Sequence, residues 1–303
     1  MSSNSGGQAV ARLVDRVGGG GIVARMLFLP LRVTEPAPEA VALYERWLSE
    51  IEAELARPDC DRNGLCLRVL SELYSVGGTG AGAGAKEAPP GVQVARAQLD
   101  PRNVTLEPEY YAEVDRERYA RVKPLLWMWQ MFDRSPAGQN VHLGVAFRRM
   151  LAPHIFKRCG RNFKAFHFVE FSFGYNLEVG DDVVVHRHVL LDDRGGIVLG
   201  DRVSIADYAN VYSHTHSIVD QRDVTNARTV LEDDVRITYH ATVLAGVRVG
   251  RNAMVGACAV ATRDVRPYHV NVGIPAKSVR VKPGAPSDSE SDTTTVKPRV
   301  AQD

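Results

Sequence analysis

The sequence predicts a mainly β protein, a parallel β-helix preceded by an α-helical N-terminal region. Apolar residues before about residue 157 recur at three- and four-residue steps, which is the period of a helix face. From about residue 158 aliphatic residues recur every six positions, a spacing that fits neither a helix nor the alternation of an ordinary sheet strand. A six-residue period is typical of a solenoid of short strands and tight corners. We therefore expect stacked coils that share one core.

The composition excludes several classes of protein. The chain has 303 residues, and 37 Lys and Arg against 36 Asp and Glu leave a net charge of +1, which gives no field to attract nucleic acid. Residues 22–33 are apolar, but they include two arginines and a proline and are fewer than the roughly 20 residues that span a membrane. They lack a signal-peptide cleavage pattern, and the four cysteines form no CxxC pair. We expect a cytoplasmic protein with no nucleic-acid partner and no transmembrane segment.

The helical region is expected to occupy residues 10–157. Its first helix has one apolar face, formed by Ala40, Leu43, Tyr44, Trp47, Leu48, Ile51 and Leu55. Further helices are expected over residues 64–74, 109–132 and 136–151, with a break at Pro124. The segment 125–132 is apolar on every side, so another element or another subunit must cover it.

Three segments are expected to lack a fixed structure. Residues 77–90 form a Gly/Ala-rich spacer with few side chains to hold it in place. The tails at residues 1–9 and 283–303 are polar and cannot bury apolar area. The β-helix is therefore expected to end at residue 282.

The six-residue pattern assigns the interior of the β-helix. Each hexad contributes one aliphatic residue, in the series Phe173, Val179, Val185, Leu191, Leu199, Ile205, Val211, Leu231, Ile237, Val243, Val249, Val255 and Ala261. A second small or aliphatic residue stands two positions before most of these. Glycine often follows the aliphatic residue, which suits a corner that needs unusual backbone angles or close approach.

Three features in chain order resemble the hexapeptide-repeat acyltransferases, most closely their maltose and galactoside O-acetyltransferase branch. The hexads are interrupted by a loop that opens with YSHTHS from Tyr212, and they resume at Leu231. The chain then closes on NVGIPAK from Asn271, which is similar to the family's terminal Gly-x-Pro-Ala-Lys. The resemblance implies that residues 158–282 form a left-handed β-helix acyltransferase domain.

His216 is the candidate catalytic residue. It stands sixteen positions after Gly200, and the related acetyltransferases have a similar spacing between a corner glycine and their catalytic histidine. Histidine titrates near neutral pH, so it can take a proton from a hydroxyl group. The resemblance implies direct transfer, in which backbone amides stabilise the developing oxyanion.

His214 leaves a metal-dependent alternative open. The His-x-His pair would put both rings on one side of an extended segment, and His186, His188 and His240 are available on other coils as further ligands. This would make the chain a lyase similar to γ-class carbonic anhydrase, although only the first histidine of that family's His-x4-His pattern is present, at His240. A non-catalytic trimeric scaffold is a further alternative.

The resemblance implies an acceptor site at His186, Asp193 and Arg194. His186 occupies the place of an asparagine in the sugar acetyltransferases, and Asp193 and Arg194 occupy the places of two aspartates. Two of these three residues depart from the family pattern, so an altered acceptor pocket is expected. The alternative is that they are ordinary exposed residues of the coils.

The resemblance also implies a coenzyme A groove between neighbouring subunits. The residues that would contact the cofactor are Tyr239, Ala257, Thr262, Arg263, Lys277 and Arg280. Three of them are cationic and suit its phosphates. Tyr239 is bulkier than the residue that relatives have there, but a backbone N–H is available whatever the side chain.

These observations together predict an O-acyltransferase that uses acetyl-CoA or another acyl-CoA. The acceptor is expected to be a hydroxyl of a sugar or glycan-like molecule, and no metal is expected. We expect a homotrimer, because the active sites of the family are formed between subunits.

Overall fold

The computed structural model describes residues 34–74 and 88–286. The tail predicted at residues 1–9 lies outside the described residues, as do most of the spacer predicted at 77–90 and most of the tail predicted at 283–303. Within the described ranges, six α-helices precede nineteen β-strands.

The helical region also contains two short 3-10 turns, at Pro101–Asn103 and Glu107–Tyr110. Its helices are α1 (Pro38–Leu55), α2 (Arg62–Leu73), α3 (Pro90–Ala97), α4 (Arg116–Arg134), α5 (Pro136–Gln139) and α6 (Val141–Ile155). Four helices begin at a side chain that accepts a hydrogen bond from an amide of the first turn, where helix donors otherwise have no partner. These side chains are Asp61 for α2, Asp115 for α4, Ser135 for α5 and Asn140 for α6.

The helix break predicted at Pro124 does not occur. Helix α4 continues from Arg116 through Pro124 to Arg134. A proline inside a helix removes one backbone hydrogen bond and costs about 3 kcal/mol or more. Pro124 is buried together with Leu125 and Leu126, and burial of each large aliphatic side chain stabilises the fold by about 1.5–3 kcal/mol. Tertiary packing therefore outweighs the local preference on which the prediction rested.

The apolar cluster at residues 125–132 packs against the first coil of the β-helix. Trp129 is 1% exposed, and its indole N–H donates a hydrogen bond to the carbonyl of Val169 at 3.0 Å. Its ring meets that of Phe171 edge-on, with 5.2 Å between the centroids. An element of the same chain thus supplies the cover that the sequence required.

A buried ion pair links the helices to the same coil. The guanidinium of Arg148 in α6 donates to the carboxylate of Asp133 in α4, with 2.8 Å between Nε and Oδ1. The backbone N–H of Phe168 donates to the other carboxylate oxygen at 2.6 Å. Burial opposes both charges, and it raises the pKa of Asp133 and lowers the pKa of Arg148. The helical region and the β-helix are therefore joined by polar contacts in their shared interior.

The β-helix has three faces, and each face is a parallel sheet that receives one strand from each coil. Face A contains β1 (Arg158–Cys159), β4 (Leu177–Val179), β7 (Ile197–Leu199), β12 (Thr229–Leu231) and β15 (Arg248–Val249). Face B contains β2 (Lys164–Ala165), β5 (Val184–Val185), β8 (Ser204–Ile205), β13 (Arg236–Ile237), β16 (Met254–Val255) and β18 (His269–Val272), with β19 (Lys277–Val281) antiparallel at its edge. Face C contains β3 (Glu170–Phe171), β6 (Leu190–Asp192), β9 (Asn210–Tyr212), β14 (Thr242–Val243) and β17 (Val260–Ala261).

The hexad residues form the core of this prism. Every aliphatic residue of the predicted series from Phe173 to Ala261 is buried, with at most 1% of its surface exposed. The positions two residues earlier, such as Leu177 and Val183, are buried as well. The predicted parallel β-helix after an α-helical region is confirmed.

Corner glycines such as Gly180 and Gly200 are required by close approach of the backbone rather than by their own dihedral angles. A Cβ on Gly200 would lie 2.7 Å from the backbone nitrogen of Asp233 in the next coil. The left-handed conformation falls two positions later, on residues that are not glycine, such as Asp182 with φ 57° and Arg202 with φ 58°.

The stacking register locates one large insertion. On face B the paired residues are 20 apart from Val184 to Ser204, 32 apart from Ser204 to Arg236 and 18 apart from Arg236 to Met254. Strand β9 nevertheless pairs directly with β14 on face C. The inserted residues leave the stack at the corner between faces C and A, where β10 (His214–His216) and β11 (Val224–Asn226) form an antiparallel pair.

Candidate functional site

The insertion, which we call the histidine hairpin (residues 213–227), is fixed at its root to the preceding coil. The hydroxyl of Ser213 donates to the carbonyl of Asp192 at 2.5 Å and accepts from the N–H of Gly195 at 2.8 Å. Ala227 N–H closes the hairpin by donating to the carbonyl of Ser213 at 2.8 Å. A Cβ on Gly195 would lie 2.6 Å from the nitrogen of Ala227, so only glycine fits between the two ends of the hairpin.

His216 ends strand β10 and is exposed. Its Nδ1 lies 2.7 Å from the carbonyl oxygen of Gln221, across the turn of the hairpin. A carbonyl oxygen only accepts hydrogen bonds, so Nδ1 carries the proton of the neutral ring. The lone pair is then on Nε2, where a general base needs it.

His214 is two residues earlier and makes a different contact. Its Nδ1 is hydrogen-bonded to the carboxylate of Asp192 at the end of β6, and Ser172 donates to the other oxygen of that carboxylate at 2.9 Å. The rings of His214 and His216 are 5.3 Å apart between centroids and nearly perpendicular. The two histidines are thus neighbours, and Asp192 connects one of them to the β-helix.

Asp193 lies inside the protein at the same corner. It is fully buried, and its carboxylate accepts from the backbone N–H groups of Phe173 at 2.7 Å and Asn176 at 3.1 Å. Burial raises the pKa of Asp193 to about 6, although these amides oppose the shift. Its carboxylate therefore fixes the corner of the preceding coil, and its predicted part in acceptor binding stays a prediction.

Arg194 contacts the helical region rather than solvent. Its guanidinium donates to the carboxylate of Glu113, with 2.7 Å between Nε and Oε1, and lies 3.9 Å from the ring centroid of Tyr111. Burial opposes the charge of Glu113, but its own backbone amide and Arg194 hold its pKa below the ordinary value. Asn226, in the histidine hairpin, contributes to lowering the pKa of Glu113 in the same direction. Burial, together with a hydrogen bond to Glu107, raises the pKa of Tyr111 to about 12.

His186 lies at another corner, between faces B and C. Its ring stacks on Phe166 with 4.9 Å between centroids. The same corner has an aromatic ladder, formed by Phe168, His188, Tyr208 and His240, whose successive centroids are 4.9, 4.7 and 4.9 Å apart. Face C separates this corner from the histidine hairpin, so the acceptor residues predicted from the sequence do not meet within one copy of the chain.

The six residues predicted to contact coenzyme A are all exposed. Tyr239 and Ala257 occupy adjacent coils at the corner between faces B and C, where Cys258 N–H donates to the carbonyl of Tyr239 at 2.9 Å. Thr262 and Arg263 follow β17, and Lys277 and Arg280 belong to the edge strand β19. The structure therefore brings them to the surface as three separate pairs.

The backbone N–H of Tyr239 points to no partner within the described part of the chain. Its neighbours Thr238 and His240 both donate to carbonyls of other coils, at 3.0 and 3.1 Å. Tyr239 is itself 49% exposed, so this corner of the β-helix lies at the surface.

Two negative findings apply to residues 34–74 and 88–286. No group of three or more His, Cys, Asp or Glu side chains there is arranged to hold a metal ion. No helix there is long and apolar enough to cross a lipid bilayer.

Comparison with known proteins identifies relatives of the β-helical part. No protein-family model matches the chain. Over 137 residues it is 26% identical to galactoside O-acetyltransferase from Escherichia coli K12, a match that covers 44% of this chain and 68% of that protein. The chain therefore resembles the hexapeptide-repeat acyltransferases over this part of its length. The resemblance seen in YSHTHS and NVGIPAK is thereby confirmed, as is the predicted enzyme class.

Two further proteins extend the comparison of this chain. It is 53% identical over 51 residues to 2,3,4,5-tetrahydropyridine-2,6-dicarboxylate N-acetyltransferase from Ligilactobacillus salivarius, but this match spans only 17% of the chain and 22% of that enzyme. Maltose O-acetyltransferase from Clostridium difficile 630 superimposes with a TM-score of 0.50 at 22% identity, over 57% of this chain and 91% of that one. The structural likeness confirms the left-handed β-helix fold.

Sequence reasoning missed four residues of the candidate site, Ser172, Asp192, Tyr111 and Glu113. The 20-residue coil length stacks Ser172 beside Asp192, so an alignment of the coils in columns would have singled out the buried carboxylate. No repeat or motif marks Tyr111 and Glu113, because they reach the site only through the packing of the helical region.

Proposed function

We propose that this acyltransferase moves an acetyl group from acetyl-CoA to a hydroxyl of a sugar or glycan-like acceptor. The observation that carries the proposal is the 2.7 Å hydrogen bond from His216 Nδ1 to the carbonyl of Gln221, which assigns the lone pair of the neutral, exposed ring to Nε2. The kinship with a galactoside O-acetyltransferase supports the choice of donor and acceptor. Because acyl-CoA donors are intracellular, the proposed location is the cytoplasm.

In the proposed reaction His216 first accepts a proton and later donates it. Its Nε2 takes the proton of the acceptor hydroxyl while that oxygen attacks the thioester carbonyl carbon. The C–S bond then breaks, and His216 returns the proton to the departing thiolate, so the products are the acetyl ester and free coenzyme A. The unpaired N–H of Tyr239 is the proposed donor to the oxyanion that develops between these steps.

The same proposal assigns the cofactor groove to exposed residues. Arg263, Lys277 and Arg280 make no ion pair within residues 34–74 and 88–286, so their charges are available to phosphate groups. The proposed wall of this groove is formed by Tyr239, Ala257 and Thr262, which offer apolar and polar contacts to the cofactor. All six residues are exposed, which is required if a neighbouring copy of the chain completes the groove.

We extend the proposal to a homotrimer with sites between copies. His186 and the histidine hairpin leave the β-helix at different corners, so a site that uses both combines the corners of two copies. Arg194 is the proposed acceptor-side cation, and its pairing with Glu113 fixes its position. The fully enclosed Asp193 contributes by holding the corner that carries Arg194.

The proposal is tested by steady-state kinetics with acetyl-CoA and a set of acceptors that includes maltose, a β-galactoside and an amino sugar. We expect His216→Ala to lower kcat by about 100-fold or more, because general base catalysis contributes on that scale, with KM for acetyl-CoA unchanged. Arg222→Gln is the matched control, since Arg222 lies on the same hairpin with its side chain 86% exposed, and it should retain full activity.

Three results would oppose the proposal. Undiminished turnover in His216→Ala would remove the base from the mechanism. About one zinc or iron per subunit, together with activity that chelators abolish, would favour the lyase alternative. Failure of the wild-type protein to bind any acyl-CoA would favour a scaffold.

A further inference from the structure

The pair formed by Asp192 and His214 has no part in the mechanism described above. We propose that Asp192 and His214 are positioning residues, which hold the histidine hairpin so that His216 presents Nε2 to the acceptor. This inference rests on the proposed function of His216, and it adds two residues that act through that histidine.

Burial favours an anchoring role over contact with substrate. The side chain of His214 is 18% exposed and that of Asp192 is 4% exposed, whereas His216 is open to solvent. Within the described residues the Asp192 carboxylate has two side-chain partners, Ser172 and His214. A buried carboxylate is costly without hydrogen bonds, so His214 is held at this position and not elsewhere.

The connection from the anchor to His216 is short. His214 is the first residue of β10 and His216 is the third, so one peptide unit on either side of Thr215 separates the anchored histidine from the base. Their rings also touch edge to face, with 5.3 Å between centroids and 83° between planes. A shift of the first ring therefore displaces the second.

The opposite strand is paired with the anchored one at the same level. Asn226 of β11 is the register partner of His214 in the hairpin. Asp192 thus holds the hairpin at its root, while the distal part at residues 217–223 is exposed or half-buried.

Two substitutions at His214 separate anchoring from direct contact with substrate. Asparagine carries an N–H donor near the position of Nδ1, so His214→Asn keeps the bond to Asp192 and loses Nε2. Glutamine extends its amide toward the position of Nε2, so His214→Gln loses the bond to Asp192. Anchoring predicts that the asparagine variant is active and that the glutamine variant is not.

The experiment measures kinetics, stability and hydrogen exchange on the full chain. With acetyl-CoA and either maltose or a β-galactoside, we expect His214→Gln and Asp192→Ala to lower kcat by about 10- to 100-fold, because a misplaced catalytic group loses that much, at unchanged KM for acetyl-CoA. His214→Asn should remain within a few-fold of wild type. The double variant Asp192→Ala/His214→Gln should be no worse than either single variant, because both remove the same contact.

Hydrogen exchange provides a readout that does not need activity. Amides of residues 214–226 should exchange faster in His214→Gln and Asp192→Ala, and at the wild-type rate in His214→Asn and in the control Arg222→Gln. His216→Ala should lower turnover as stated above and leave the exchange of the hairpin root unchanged.

Each outcome supports or contradicts a specific part of the proposal. Equal loss of activity in His214→Asn and His214→Gln would overturn the positioning role, because Nε2 would then be the group that matters. Unchanged exchange in His214→Gln would overturn the anchor itself. If the wild-type chain transfers no acetyl group but exchange follows the expected order, the proposed function fails and the anchor stands.

Discussion

At the scale of single residues, the corner between faces C and A is organised by three successive side chains. Asp192 binds the histidine hairpin, Asp193 binds backbone amides of the preceding coil, and Arg194 binds the helical region. Each of these side chains is buried and makes specific hydrogen bonds, so polar contacts fix the corner.

Asp193 should make the stability depend on pH. Its pKa rises from 3.8 to about 6 in the folded chain, so protonation stabilises the native state. This contribution is complete below about pH 4 and is lost as pH rises through about 6, and a shift of about 2 units corresponds to about 3 kcal/mol. We expect the free energy of unfolding of wild type, relative to Asp193→Asn, to fall by that amount between pH 4 and pH 7 in urea titrations.

Asp181→Asn is a control of opposite sign. Hydrogen bonds from Arg161 lower the pKa of Asp181, so its contribution is present above the unfolded pKa and is lost as pH falls. If the free energies of unfolding of wild type and Asp193→Asn changed with pH in parallel, the assignment to Asp193 would be contradicted.

The positions of single residues were predicted correctly where a repeat in the sequence determines them. The hexads assigned the interior from Phe173 to Ala261 because an inward side chain recurs at a fixed step. The bond between Asp192 and His214 joins residues 22 positions apart, and it exists only because coils of 20 residues stack. The tautomer of His216 likewise depends on a turn that brings the Gln221 carbonyl to Nδ1.

At the scale of elements, the histidine hairpin depends on the space left by one glycine. Gly195 lies between the carbonyl of Ser213 and the nitrogen of Ala227, the two ends of the hairpin. Both neighbours are backbone atoms, which cannot rotate away as a flexible side chain can.

Gly195→Ala should therefore displace the hairpin root. We expect a loss of about 1–3 kcal/mol of stability, the usual cost of overpacking, and faster proteolysis within residues 213–227. Gly91→Ala in α3 is the control, because a Cβ there meets no atom within 4 Å and should leave Tm unchanged or slightly higher. If a protease cleaved Gly195→Ala at the wild-type rate, the hairpin root would accommodate the added Cβ without loss of stability.

Element boundaries were harder to predict than element types. The helix expected over 64–74 runs from Arg62 to Leu73, but Pro124 was wrongly expected to divide α4. The conformational preference of a single proline carries no information about how Leu125 and Leu126 pack against the rest of the chain.

At the scale of the whole molecule, the ion pair of Asp133 and Arg148 joins two kinds of structure. Both side chains are nearly fully buried, and they bond backbone groups of the first coil as well as each other. Removing one partner would leave an uncompensated charge in the interior.

Arg148→Met should lower the free energy of unfolding by about 3–5 kcal/mol. We expect the double variant Asp133→Leu/Arg148→Met to lose less than the sum of the two single variants, as a double-mutant cycle in chemical denaturation would measure. Additive losses would mean that the two residues act independently.

The proposed trimer makes a prediction about mixed assemblies. Analytical ultracentrifugation should give about 100 kDa, three times the 33.3 kDa chain. If His216 and His186 reach one site from different copies, trimers refolded from a mixture of His216→Ala and His186→Ala chains should recover activity that neither variant has alone. A mixture as inactive as its components would contradict a site formed between copies.

The direct pairing of β9 with β14 across the insertion gives this architecture an evolutionary freedom. The coils close beneath the hairpin at the same pitch, whatever length of chain leaves and returns between Ser213 and Ala227. Segments of other lengths and sequences can therefore be exchanged at this point while the coils stay intact. The surface at this corner can change through one inserted loop, with no redesign of the solenoid that supports it.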